Sequence, residues 1–141
     1  MIKERGSFMI GEEATLTRIV SDDDIKVFAR ISGDHNPVHI NEEYAKGTMF
    51  GGRIAHGMLV ASLISGVLGT MLPGPGAIYL GQKLRFLAPV RPGDEVTARA
   101  KVTGWDTEKG RVTLSTEVTN KKGITVIAGE AQLVMSSYLK K

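Results

Sequence analysis

The feature that most constrains the fold is a long stretch without formal charge, from Ile54 to Gln82. Within it, nearly every position from Gly57 to Leu72 is apolar, and Pro73-Gly74-Pro75-Gly76 then ends a helix. A helix that is apolar on all sides has to be buried on all sides, so a central helix inside the fold is predicted here. A membrane span is the alternative, but a span needs about 20 apolar residues. This run is shorter and contains serine, glycine and threonine.

Everything after this helix has the pattern of β-strands. Polar and apolar residues alternate along most of it, and turn-forming residues separate the alternating segments. Because the connections are short, neighbouring strands are expected to be antiparallel. One sheet curled around the apolar helix would bury both, which predicts a single α+β domain over residues 1–141. The predicted strands are residues 77–87, 95–105, 111–120 and 124–135, with an opening strand over residues 8–20.

Two short helices are predicted before the apolar one. Ser21 is expected to cap the first helix, because three aspartates follow it and negative charge suits the first turn of a helix. Asn41 is expected to cap a second helical segment of one or two turns, ending near Lys46.

The segment from Ser32 to His39, Ser-Gly-Asp-His-Asn-Pro-Val-His, joins these helices and carries the candidate chemistry. Pro37 restricts its own φ and moves Asn36 out of the helical region, so the link from Asp34 to His39 is predicted to be extended. In an extended link, side chains five positions apart can converge, and a carboxylate with an imidazole forms a general acid–base pair that can polarise a water. The alternative is that Gly-Asp-x-Asn-Pro is ordinary turn sequence.

Composition excludes several other kinds of site. The 141 residues include no cysteine, which excludes disulfides, thiol catalysis, iron–sulfur clusters and cysteine-ligated zinc. The net charge of +3 comes without a cluster of basic and aromatic residues, so nucleic acid is not expected as a partner. The first residues lack the apolar core of a signal peptide. Together with the absence of cysteine, this predicts a cytoplasmic protein.

The segment from Phe28 to His39 resembles the hydratase motif of MaoC-like proteins, and specifically that of the (R)-specific enoyl-CoA hydratases. The similarity continues through Ile54–Ser62 and Tyr79–Gln82. It implies a hot-dog fold, in which a five-stranded antiparallel sheet wraps around a long central helix, here Gly57 to Leu72. It also implies a homodimer or a larger even-numbered assembly, with acyl-CoA bound near the subunit interface.

The resemblance gives roles to several of these residues. Asp34 and His39 would be the catalytic pair that holds and activates water, whereas His35 stands at a position that varies in such motifs. Asn36 is expected to orient the loop beside the substrate. Gly57 is expected to start the buried helix, where its free N–H would donate to the thioester oxygen as that oxygen gains enolate charge.

For several other residues, a purely structural role is an alternative to a role in the site. Ser65 and Leu68 are expected to share the face of the helix that lines the acyl pocket, although Ser65 could equally bond a carbonyl one turn back. Gln82 could reach the substrate from its strand or satisfy a buried backbone group. His56 is more simply a structural residue at the helix start. Three methionines are expected in the core: Met49, Met58 and Met71.

The implied function is that of a hydro-lyase, which reversibly hydrates trans-2-enoyl-CoA to (R)-3-hydroxyacyl-CoA. No metal or redox cofactor is expected, and coenzyme A enters only as part of the substrate. In such enzymes the reaction connects fatty-acid β-oxidation with polyhydroxyalkanoate synthesis. The alternatives are dehydration of 3-hydroxyacyl thioesters on CoA or acyl carrier protein, and a non-catalytic acyl-CoA-binding protein. A hot-dog thioesterase would need a carboxylate on the buried helix, which has none.

Overall fold

The structure is a computed structural model that describes residues 2–139, and these form four α-helices and five strands. The helices are α1 (Asp22–Ser32), α2 (Pro37–Ile40), α3 (Glu42–Lys46) and α4 (Gly57–Thr70). The strands are β1 (Glu13–Ile19), β2 (Ala77–Phe86), β3 (Glu95–Asp106), β4 (Arg111–Asn120) and β5 (Thr125–Met135), followed by a 3₁₀ turn at Ser136–Leu139.

All five strands form one antiparallel sheet in the order β1-β3-β4-β5-β2. This confirms the predicted antiparallel sheet around a central helix. Strands β3, β4 and β5 occupy its middle, while β1 and β2 form its two edges. Because β2 pairs with β5 and β3 pairs with β1 and β4, the chain crosses the sheet between β2 and β3.

The core lies between α4 and the face of the sheet that curls around it. Alternate residues of β3 and β4 point to this face and are almost completely buried, as the alternating pattern predicts. Burial of each large aliphatic side chain in such a core stabilises the fold by about 1.5–3 kcal/mol. The helix contributes five buried side chains to this core: Val60, Ala61, Ile64, Val67 and Leu68.

The opposite side of α4 is exposed, so the expectation that this helix is buried all round is wrong for a single subunit. The side chain of Met58 is 56% exposed, and Ser62, Ser65 and Gly69 on the same helix are also exposed. The sheet covers one side of the helix, and no element of the described residues covers the rest. The prediction of three core methionines is also wrong, since Met49, Met58 and Met71 are all exposed.

The N-terminal segment also differs from its prediction. The first strand begins at Glu13 and not at residue 8, because a turn with Gly11 at φ +96° interrupts the segment before it. Phe8 is nevertheless part of the core, where its ring packs edge-on against Trp105 with centroids 5.1 Å apart. Among residues 2–139, no helix is long and apolar enough to cross a membrane.

Candidate active site

The helix that leads into the motif loop, α1, is capped at both ends. Ser21 and Asp24 form a reciprocal capping box at the start of α1, and Gly33 ends that helix at φ +81°, where a residue with a side chain would be strained. The chain therefore leaves α1 in a defined direction at Asp34. The carboxylate of Asp34 then accepts a hydrogen bond from the N–H of Asn36 at 3.1 Å, and this closes a turn.

His39 reaches the site from a helical turn and not from an extended link, so that prediction is wrong beyond Asn36. Pro37 occupies the first position of α2, where its missing N–H costs nothing and its fixed φ already suits a helix. Asn36 has an extended backbone and caps the turn, with its side-chain oxygen 3.3 Å from the N–H of Val38. The hydrogen bonds of Asn36 thus orient the loop.

The imidazole of His39 is buried and has a defined tautomer. Its Nδ1 lies 2.8 Å from the carbonyl oxygen of Ile54, and because a carbonyl only accepts, Nδ1 carries the proton. The Nε2 atom is therefore unprotonated in the neutral ring and can accept a proton. The backbone of this residue is fixed as well, because Arg53 donates from Nε to the His39 carbonyl at 2.9 Å.

Arg53 also connects this segment to α1. Its guanidinium pairs with the Asp22 carboxylate, and together with Lys26 it lowers the pKa of that carboxyl. Neither Arg53 nor Asp22 stood out in the sequence, because a loop arginine and a helix N-terminal aspartate usually face solvent. The tertiary fold brings them together next to the backbone of His39.

The structure brings Asp34 and His39 together with a third group, His56. One potential ligand atom from each side chain lies within 4.8 Å of those of the other two, so the three could also hold a metal ion. His56 is 1% exposed and caps the N-terminus of α4 with its backbone. Its Nε2 lies 3.0 Å from the carbonyl oxygen of Asp34, while its ring stacks on His39 at 4.1 Å between centroids.

From the sequence, a structural role at the helix start is the simpler expectation for His56, but two features of the sequence indicate a further role. It is the one ionisable imidazole in the uncharged stretch, and it directly precedes the glycine predicted to bind the thioester oxygen. Its contacts come from residues far away in the sequence, which no local pattern could reveal. Phe28 of α1 is one of them, with its ring centroid 4.8 Å from that of His56.

Asp34, His39 and Gly57 line one cavity of about 520 Å³. Its other walls are mainly apolar and include Phe86 and Ile127. Gly57 is the first residue of α4, and its N–H has no hydrogen-bond acceptor among the described residues. An apolar cavity with one acid–base pair and one free N–H can bind an acyl thioester and act on a water beside it.

The remaining predicted site residues lie elsewhere. Ser65 and Gln82 line a second cavity of about 550 Å³, which shares Met58 with the first. The amide nitrogen of Gln82 donates to the backbone of Lys83 and Glu130 and to the hydroxyl of Thr116, which corresponds to the structural alternative. Leu68 is buried in the core and lines neither cavity, so its influence on acyl chain length stays a prediction.

Comparison with known proteins agrees with this arrangement. The chain is 54% identical over 125 residues to an (R)-specific enoyl-CoA hydratase of Rhodospirillum rubrum, covering 89% of this chain and 86% of that one. It is 44% identical to the (R)-specific enoyl-CoA hydratase of Aeromonas caviae, over 89% and 93% of the two chains.

A solved structure, that of the (R)-hydratase from A. caviae involved in PHA biosynthesis, superimposes with a TM-score of 0.89 at 42% identity. The match covers 93% of this chain and 99% of the other, which confirms the hot-dog fold. Residues 9–126 match the family model described as the MaoC-like domain. The chain therefore belongs to the MaoC-like family.

Proposed function

We propose that this protein is an (R)-specific enoyl-CoA hydratase, which adds water to trans-2-enoyl-CoA to give (R)-3-hydroxyacyl-CoA. The observation that carries the proposal is the meeting of Asp34 and His39 at one cavity whose wall also presents the free N–H of Gly57. This cavity has the parts that hydration of a thioester needs: a site for water, a group to take its proton, and a donor for the carbonyl oxygen.

The reaction balances without any oxidant or reductant. Water is held between the Asp34 carboxylate and Nε2 of His39, and its oxygen attacks carbon 3 of the enoyl group. As the C3–O bond forms, the double-bond electrons move toward the thioester, whose oxygen becomes enolate-like and receives a hydrogen bond from Gly57 N–H. The Asp34–His39 pair takes one proton from the water and returns one to carbon 2. The reverse sequence dehydrates a 3-hydroxyacyl thioester.

The tautomer of His39 supports its part in this scheme. Because its Nδ1–H is engaged by the carbonyl of Ile54, the lone pair of Nε2 is the one available to the water. Asp34 is exposed and ionisable, and its carboxylate can accept a hydrogen bond from the same water. Both groups face the same water in this scheme, so the two proton transfers are assigned to the pair and not to one residue.

No redox cofactor is required by the proposed reaction, because addition of water leaves the overall oxidation state unchanged. No metal is required in this scheme, because the Asp34–His39 pair supplies the acid–base chemistry. Asp34, His39 and His56 could nevertheless hold a divalent ion. Treatment with a chelator tests this part of the proposal directly. Activity that survives exhaustive dialysis against EDTA supports catalysis by side chains alone, whereas loss that zinc or magnesium restores would require a metal-based mechanism.

We propose that two copies associate through the edge strand β2. This strand presents Ile78, Tyr79 and Leu80 in succession, each between 41% and 49% exposed, beside the exposed face of α4. The other edge, β1, carries charged and threonine side chains along most of its length. A free edge with exposed apolar side chains favours pairing with a second copy.

We also propose a cytoplasmic location, which is consistent with a chain that contains no cysteine.

The test is a hydration assay that follows the loss of enoyl-thioester absorbance with trans-2-enoyl-CoA substrates from crotonyl to dodecenoyl. Chiral analysis of the product checks the configuration at carbon 3. We expect turnover and an (R)-3-hydroxyacyl product. A folded protein that hydrates none of these substrates, or one that forms the (S) product, would overturn the proposal. Parallel assays with acyl carrier protein thioesters show whether the enzyme acts on CoA substrates, on acyl carrier protein substrates or on both.

A further inference from the structure

His56 contacts both members of the proposed catalytic pair, although the hydration mechanism gives it no proton to transfer. Its ring lies between those of Phe28 and His39, at 4.8 and 4.1 Å between centroids and tilted by 55° and 31°. Its Nε2 also hydrogen-bonds the backbone carbonyl of Asp34. One side chain at the start of α4 thereby joins α1, α2 and the loop between them.

The hydrogen bond of His56 determines its tautomer. Because the carbonyl oxygen of Asp34 can only accept, Nε2 of His56 carries the proton, and Nδ1 is unprotonated. That Nδ1 is buried without a hydrogen-bond partner among residues 2–139. A buried polar atom without a partner destabilises a fold. The presence of a histidine therefore calls for a role beyond packing.

Protonation of Nδ1 would place a positive charge in this buried position against the ring of His39. Burial is the main cause that lowers the pKa of His56, and the neighbouring His39 and His35 lower it further. The hydrogen bond and charge of Asp34 act in the opposite direction. A neutral His56 presents an uncharged ring to the face of His39.

We propose that His56 is a positioning residue. By stacking on the His39 imidazole it holds that ring in the orientation in which Nδ1–H donates to the carbonyl of Ile54, and by its hydrogen bond it anchors the backbone of Asp34. This inference rests on the proposed hydration function and adds a residue to its machinery. Two contacts then define the orientation of His39: the carbonyl of Ile54 at Nδ1 and the ring of His56 on its face. The distance between the two catalytic side chains is set through the same residue.

The experiment combines histidine NMR with kinetics. The chain contains three histidines, so the spectrum of ¹⁵N-histidine-labelled protein has few signals. Each signal is assigned by its loss in the variant that lacks that histidine. The pattern of long-range ¹H–¹⁵N correlations then reports the tautomer of each ring. In the wild-type protein we expect His39 in the Nδ1–H form and His56 in the Nε2–H form. We also expect His56 to remain neutral through the range near pH 6.5 where exposed histidines titrate.

Two substitutions separate the two contacts of His56. His56→Phe keeps a ring to stack on His39 and removes the hydrogen bond, whereas His56→Gln keeps a donor and removes the stack. In His56→Gln we expect a mixture of His39 tautomers and a fall in kcat of up to about 100-fold, the cost of misplacing reacting groups by about 1 Å. KM should change little. His56→Phe should keep the His39 tautomer and lose less kcat. Exposed His35→Gln is the matched control and should resemble the wild-type protein.

A purely structural His56 would behave differently. Its substitution would lower the Tm and the folded fraction, but kcat per folded molecule and the His39 tautomer would stay unchanged, and that result would overturn the inference. If neither variant folds, the NMR spectrum of the wild-type protein still tests the inference. A His56 that is protonated, or that carries its proton on Nδ1, at neutral pH would contradict the proposed contacts. Absence of hydration activity in a wild-type protein with the expected tautomers would instead overturn the proposed function.

Discussion

The ring of Phe86 occupies the space that a side chain at Gly57 would need, since an ideal Cβ there would lie 2.6 Å from Cδ1 of Phe86. Phe86, at the end of β2, thus packs directly against the first turn of α4. From the sequence, Gly57 is expected to present its free N–H to the thioester oxygen. The structure adds a reason for glycine at this position, which is that an aromatic wall of the cavity rests on the same residue.

The first prediction is that Gly57→Ala is destabilising and slows hydration. The added methyl would force the Phe86 ring or the start of α4 to move, at a cost of about 1–3 kcal/mol for overpacking. The same movement would shift the Gly57 N–H, which the proposed mechanism places at the thioester oxygen. Urea unfolding and steady-state kinetics on the purified variant measure both effects.

Gly69→Ala in the same helix is the matched control, because a Cβ there meets no atom within 4 Å. That substitution should raise the free energy of unfolding by about 0.5–1 kcal/mol, since alanine favours the helix more than glycine does. A Gly57→Ala protein with wild-type stability and kcat would show that the Phe86 contact does not constrain the site.

The second prediction concerns the catalytic pair. Asp34→Asn and His39→Ala should each lower kcat by about 10²–10⁴, the range for loss of a positioned acid–base group. KM should change much less, and the double variant should lose little more than the worse single one, because groups that act as a unit are non-additive. Tm and kcat, measured on the same variants with His35→Ala as control, separate chemistry from turn formation. Near-normal turnover by the Asp34→Asn variant would contradict the proposed hydratase function.

The third prediction tests the assembly edge. Leu80→Asp places a charge in the apolar row of β2 and should shift the protein from dimer to monomer at micromolar concentration. Ile19→Asp is a matched change on the other edge strand, where the side chain is also exposed, and it should leave the dimer intact. Light scattering measures both. A monomeric wild-type protein, or dissociation by Ile19→Asp alone, would contradict pairing through β2.

The fourth prediction compares two truncations in the core. Ile127 and Leu68 are both almost fully buried, but Ile127 lines the cavity that holds Asp34 and His39, whereas Leu68 does not. Each change to alanine should destabilise the protein by about 2–5 kcal/mol. If the acyl chain occupies this cavity, only Ile127→Ala should also raise relative activity on longer enoyl-CoA substrates.

The chain-length profile, taken as ratios of kcat/KM among enoyl-CoA substrates, is the measurement for this pair. A profile that changes in Leu68→Ala and not in Ile127→Ala would support the sequence-based assignment of Leu68 to the acyl pocket. It would also place the acyl chain deeper in the core than the present cavity.

The fifth prediction is a pH dependence of stability caused by His56. Because burial lowers the pKa of His56 in the folded protein, the unfolded chain binds a proton at this residue at a higher pH than the folded one does. The free energy of unfolding should therefore fall as the pH decreases from about 6.5, the ordinary histidine value, to the lower folded value, and this contribution should then level off.

His56→Phe should remove that part of the slope, because phenylalanine binds no proton in either state. His35→Gln is the control, and it should keep the slope, since His35 is exposed. Urea unfolding at a series of pH values gives the measurement. An unchanged slope in His56→Phe would mean that His56 is protonated equally in both states.

Much of the fold could be predicted because its signals are local. The apolar run that begins at Gly57 specified α4, and strict alternation specified β3 and β4 to within one residue of their ends. Ser21 and Asn41 marked helix starts through side-chain caps that involve residues three positions away. Such features depend on neighbours along the chain, so the sequence alone determines them. The motif around Asp34 and His39, with its family resemblance, likewise indicated the pair that we propose to be catalytic.

Tertiary structure decided the features that depend on distant residues. The sequence at Pro37 is compatible with a helical turn and with an extended link, and the folded chain forms the helical turn. His56 obtained its role from Phe28, Asp34 and His39, which lie 17 to 28 positions before it. The exposed face of α4 resulted from the sheet covering one side of the helix. These outcomes follow from packing between elements, and packing has no signature in the order of residues along a single segment.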